Sequence, residues 1–198
     1  MIITSLSQFR TKFVGKVFTL RELEEITGAD LSEWKIYYAL SRKLALESFA
    51  SGRANYIWLQ KLLCAASGSY WAYGGQGKKH PDFYMGADRC ETKSYDLAAA
   101  YDALVFVAAS SFFASNCKVQ PHKRLLEESP DQAKRYLFEH SYDCNDYYLL
   151  TSTRNLNCNF EDLEMIFVKT DTLKECLDPK SHYKKVDMSE LRKRVTRL

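Results

Sequence analysis

Apolar positions between residues 19 and 44 recur at helical spacing. Leu20, Leu23 and Ile26 follow Thr19, and Glu22 stands three positions beyond it, an arrangement that predicts a capped amphipathic helix ending at Gly28. Asp30 or Ser32 is placed to cap a second helix, with Trp34, Tyr37, Tyr38, Leu40 and Leu44 as its apolar side. The pattern then shortens to residues 46–49, a turn at 51–53 and residues 55–59, which reads as strand, turn, strand. Alternation returns at 81–85 and 89–93 around Gly86-Ala87-Asp88 and predicts a β-hairpin. Past it, Asp96 caps an Ala-rich apolar stretch expected to be helical over 96–115, and a polar helix is expected over 131–140 after a Ser-Pro start. Strands are expected over 146–152 and 165–170, flanking an Asn-rich loop, and no repeat is evident.

A Gly-rich, aromatic and basic segment at 68–79 marks the expected internal boundary, giving a mainly helical region 1–66 and a second domain 67–198. Its glycines do not form a phosphate loop, because the Gly-Lys-Ser/Thr ending is missing. The helix pair and the two short strands over about residues 15–60 resemble a winged helix-turn-helix domain. That resemblance implies DNA contact, while the bare residue pattern suits a packing or dimerisation element equally.

Composition narrows the class. With 46% hydrophobic and 14% aromatic residues, 8 Gly and 4 Pro, the chain of 198 residues has the means to bury a core and is not a disordered or collagen-like polymer. The stretch 97–114 contains Asp102 and two serines, so it reads as a buried helix and not as a membrane span. The start of the chain lacks the continuous apolar core of a signal peptide, and six cysteines without Cys-x-x-Cys or zinc-ligand spacing read as reduced thiols, so a cytoplasmic protein is expected. The net charge of +3 is small, but Lys180, Lys184, Lys185, Arg192, Lys193, Arg194 and Arg197 crowd the end of the chain. Such a tail suits either contact with a polyanion or a solvated terminus.

The hairpin carries the candidate chemistry. Glu91 and Lys93 are two residues apart, so on a strand both project from one face, about 7 Å apart at roughly 3.3 Å per residue. An even hairpin loop places Asp82 on that face, with Asp82 expected opposite Lys93 and Tyr84 opposite Glu91. Two converging carboxylates beside a Lys suit Mg²⁺, a hard cation that takes one or two protein carboxylates and completes its shell with water and phosphate oxygens. The chemistry expected of such a group is phosphodiester hydrolysis, with Lys93 orienting water or offsetting negative charge. The same residues also suit a plain surface charge cluster.

Pro81-Asp82 followed by Glu91-Thr92-Lys93 resembles the PD-(D/E)XK nuclease superfamily. The resemblance covers about half the chain and implies a mixed β-sheet flanked by helices, an α/β (α+β) fold with a restriction endonuclease-like core. It implies Asp82, Glu91 and Lys93 as catalytic residues, Asp82 and Glu91 as Mg²⁺ ligands, and a type II restriction enzyme that cuts double-stranded DNA as a homodimer. Many members draw another acid from a preceding helix; here Gln60 stands in the corresponding apolar run, and a plain helix-surface glutamine is the competing reading. Lys78 and Lys79 are placed to meet phosphates. Arg154, Asn155 and Asn157 carry groups that read base edges, although Asn is also a frequent turn former. A non-enzymatic winged-helix regulator, or a repair or phage nuclease, is the alternative.

Overall fold

A computed structural model describes residues 2–3, 5–43, 81–95, 104–105, 145–152, 158–177 and 185–198. The described elements are α1 (Leu6–Phe13), β1 (Lys16–Thr19), α2 (Leu20–Thr27), α3 (Ser32–Lys43), β2 (Phe83–Met85), β3 (Asp88–Ser94), β4 (Leu104–Val105), β5 (Tyr147–Thr151), β6 (Glu164–Lys169), α4 (Thr170–Glu175), β7 (Lys185–Val186), α5 (Met188–Arg194) and β8 (Thr196–Arg197).

Local chemistry accounts for the helix ends. Thr19 Oγ1 accepts from the Glu22 N–H at 3.2 Å, while Glu22 Oε2 accepts from the Thr19 N–H at 2.7 Å, so two amides that α2 cannot bond internally are satisfied. Gly28 ends that helix at φ 68, a left-handed conformation that glycine adopts without a Cβ clash. Asp187 caps α5 by accepting from the Ser189 and Glu190 N–H groups at 2.9 and 3.1 Å. The bonds from Ser189 and Glu190 hold its carboxyl below the usual value.

Six strands form one mixed sheet in the order β2-β3-β5-β6-β1-β8. β3 and β5 are parallel, as are β1 and β8; the other neighbours are antiparallel. One face packs against α1, α2 and α3 through Phe9, Phe13, Leu20, Leu23, Leu31 and Tyr38. The other receives α4 and α5 through Leu173, Cys176, Met188 and Leu191. Alternation along β5 and β6 explains both layers, since Leu149 and Phe167 enter the first core while Leu150, Ile166 and Val168 enter the second.

This arrangement alters two expectations. The N-terminal region does not stand apart, because β1 lies between β6 and β8, and α1 to α3 share a core with Phe83, Met85 and Leu149. The helix pair of the winged-helix reading forms as expected, whereas its strands at 46–59 lie outside the described residues. Within 96–115, Leu104–Val105 is a strand paired with Lys185–Val186, not part of a helix. An apolar run such as Leu104-Val105-Phe106-Val107 suits either element, and a non-local partner selected the strand. The helix expected at 131–140 lies outside the described residues.

The basic end is neither a free arm nor bare. Met188, Leu191 and Val195 are buried, and the backbone of β8 lies along β1. Arg192 and Arg197 reach Glu164, Lys193 reaches Glu190, and Arg194 reaches Glu175 and Glu190. Among the described residues, no helix is long and apolar enough to cross a membrane.

Candidate functional site

The hairpin forms where alternation places it, with an even loop as expected but a register shifted by two residues. Phe83 pairs with Cys90, Tyr84 with Arg89 and Met85 with Asp88, leaving Gly86-Ala87 as a two-residue loop. Gly86, at φ 67, supplies the positive φ that such loops require at their first position. Arg10 of α1 fastens the closing pair by donating to the Met85 carbonyl at 2.6 Å and pairing with Asp88. The expected pairs Asp82–Lys93 and Tyr84–Glu91 therefore do not form. Asp82 lies one residue before β2 and outside the recorded pairs, so strand register does not set its face.

Side-chain burial follows this register. Phe83, Met85, Cys90 and Thr92 are buried, while Asp82, Tyr84, Arg89, Glu91 and Lys93 are half-buried. On its other side β3 is parallel to β5, with Glu91 opposite Tyr148 and Lys93 opposite Leu150, both on the second core's face. Lys93 Nζ pairs with Glu91 Oε1, and the two side chains are 14% and 19% exposed, so water screens this pair less than it would a surface pair. Asp82 is held differently. Its Oδ2 accepts from both the backbone N–H and the hydroxyl of Thr92, each at 2.7 Å. Both acids are thereby fixed to one three-residue stretch of β3, Glu91 as part of it and Asp82 through Thr92.

The donor set fits a hard divalent cation in kind, because both groups are carboxylates and Mg²⁺ is ordinarily held by one or two of them. Among the described residues, no cluster of three or more His, Cys, Asp or Glu side chains is disposed to hold a metal ion. A site at Asp82 and Glu91 would be a two-carboxylate one. Gln60, Lys78, Lys79, Arg154, Asn155 and Asn157 lie outside the described residues.

Sequence reasoning missed Thr92, Arg10 and Asp146. Asp146, just before β5, accepts from the Arg89 N–H at 2.8 Å and so ties the hairpin to the neighbouring strand. No local pattern marks these partners, since each lies ten or more residues from the group it serves. At the Asp88 end of β3, about 16 Å from Lys93 at roughly 3.3 Å per residue, a groove of about 370 Å³ is lined by Asp88, Asn145, Asp146, Tyr147, Lys169 and Lys174. Its charges are mixed. Burial pushes the Cys90 thiol well up, which makes it inert and leaves it as packing.

No family model, characterised protein or solved structure matches the chain.

Proposed function

We propose that this chain is a Mg²⁺-dependent endonuclease that hydrolyses phosphodiester bonds in double-stranded DNA, site-specifically and as a homodimer, on a restriction endonuclease-like core. The observation that carries the reading is a hairpin that sets Glu91 and Lys93 on one face of β3, ties Asp82 to the Thr92 between them, and runs β3 parallel to β5. A parallel pair needs a crossover, here within residues 96–144, so the order hairpin, connection, further strand agrees with that core.

In this reading Asp82 and Glu91 present carboxylate oxygens to the cation, which supplies charge neutralisation at the scissile phosphate and lowers the pKa of an attacking water. Lys93 brings a positive charge to the same face, where it offsets the negative charge that develops on the phosphate oxygens. Lys78 and Lys79 are assigned to phosphates, and Arg154, Asn155 and Asn157 to base edges. A palindromic duplex carries two symmetry-related scissile bonds, so one site per chain calls for two chains. The rival DNA-binding regulator is disfavoured at α3. Among its described side chains, Ile36 and Leu40 are 71% and 50% exposed and Lys35 is committed to Glu24 and Glu161, a set poorly suited to phosphates.

The test is incubation with mixed plasmid DNA in Mg²⁺ and in EDTA. Discrete fragments in Mg²⁺ alone are expected, and Asp82→Asn or Glu91→Gln is expected to slow cutting by at least about 10²-fold. Asn keeps an oxygen for the Thr92 donors, so the fold is retained. A gel shift without cutting by the wild type, or undiminished cutting by Asp82→Asn, overturns the reading.

A further inference from the structure

Trp34 and Tyr38 pack α3 into the first core, and the Tyr38 hydroxyl donates to the Cys158 carbonyl at 2.8 Å. The outer face of the helix is apolar as well. Of the four large apolar side chains exposed among the described residues, Ile36, Tyr37 and Leu40 all stand on α3. A surface helix ordinarily presents polar residues to water, and a contiguous apolar stripe marks an interaction surface. This stripe has an internal symmetry. Glu33, Ile36, Leu40 and position 43, a lysine, follow one another at intervals of 3, 4 and 3 residues. At 100° per residue they fall within about 80° of arc, centred about 180° from Tyr38. From either end the order is charge, apolar, apolar, charge, with opposite signs at the two ends.

We propose that α3 is the surface through which two copies of this chain associate, packed antiparallel about a two-fold axis level with residue 38. That axis sets Ile36 across from Leu40 of the second copy, Glu33 across from Lys43, and Tyr37 beside the small Ala39. A parallel pair would set Glu33 on Glu33 and Lys43 on Lys43, which repel. The occupant is a second copy because the stripe complements itself in both shape and charge. The nuclease reading calls for two chains without assigning their contact. α3 lies over the first core and Glu91 and Lys93 on the second core's face, so this contact is independent of that chemistry. Twelve residues make a helix about 18 Å long, small for a specific interface, so a weak dimer is expected, with Kd of about 10–100 µM.

Sedimentation of the full-length chain over a concentration series, without DNA or metal, is the test. The wild type is expected to pass from monomer to dimer. Leu40→Ser and Glu33→Lys are each expected to weaken association by about tenfold or more while leaving the melting temperature in dilute solution unchanged, since both side chains are exposed. Lys43→Glu carries the same expectation for association. Combining the charge changes reads the orientation. Glu33→Lys with Lys43→Glu in one chain restores the dimer, and the two single variants mixed together associate more tightly than either does with itself. In a parallel pair Glu33→Lys alone would change nothing, because like charges would still face each other, and that result overturns the antiparallel arrangement. A dimer undiminished by Leu40→Ser has its contact elsewhere, which overturns the proposal. So does a wild type that stays monomeric to about 0.5 mM. In that event a lowered melting temperature in Leu40→Ser means that the chain covers this face itself, and an unchanged one that an unlike partner does.

Discussion

The hairpin and the C-terminal segment are both charged stretches, and the fold uses their charges in opposite ways. In the C-terminal segment each of the four arginine and lysine side chains from Arg192 to Arg197 meets an acid, and the acids Glu164 and Glu175 come from β6 and α4. The pairs lie over an apolar face, Met188, Leu191 and Val195, which closes the second core. In the hairpin, Glu91 is paired with Lys93 on one face of β3, and Asp82 is held by the neutral N–H and hydroxyl of Thr92. Ion pairs to other elements fasten the C-terminal segment, whereas the hairpin's acids are held by partners within its own strand β3. The density of charge along a chain therefore says little until the partners are known.

The comparison is tested most severely on the apolar side of the C-terminal segment. Leu191 is fully buried, so Leu191→Ala is expected to destabilise the fold by about 2–5 kcal/mol in urea unfolding. A loss below about 0.5 kcal/mol would return this segment to the status of a solvated tail. Next comes Glu164, whose Oε1 accepts from Tyr95 at 2.7 Å and Arg192 at 2.6 Å. Glu164→Ala leaves the hydroxyl of the buried Tyr95 without this acceptor and is expected to cost about 1–3 kcal/mol by the same measurement. Lys193→Ala, at a side chain 72% exposed, is expected to change stability by less than about 1 kcal/mol, which sharpens the contrast between buried and rim charges within one helix.

The smallest effect is one of pH. Burial raises the Cys176 thiol to about 11, from 9.0, and lifts Tyr95 well above its usual 10.0. In the unfolded chain the thiol ionises near 9.0 while the folded form stays protonated, so the contribution of Cys176 is complete below pH 9 and declines as pH rises to about 11. Stability is expected to fall over that window, and Cys176→Ala is expected to flatten the decline. An unchanged slope would mean that Cys176 is open to solvent.

Much of the local structure was legible because its causes are local. The Thr19–Glu22 cap, the Gly28 stop and the alternation about Gly86 need only a few consecutive residues, and α2, β2 and β3 appear where those signals stand. The strands expected over 146–152 and 165–170 differ by a single residue at each end, which is ordinary fraying of a boundary. That Glu91 and Lys93 share a face was readable for the same reason, since strand alternation alone assigns it.

Tertiary structure decided what depended on distant partners. Sequence supplied apolar Val17 and Phe18, but only pairing with β6 and β8 made residues 16–19 an inner strand, and only Lys185–Val186 made a strand of Leu104–Val105. Arg10 reaches Met85 across 75 positions, and Asp82 reaches Thr92 across 10. Such contacts form when burial of one surface brings separate segments together, and the cost of closing the intervening loop is met by the whole core and not by the two residues that touch. Local pattern therefore specified which residues face the same way, and packing specified what each of them meets.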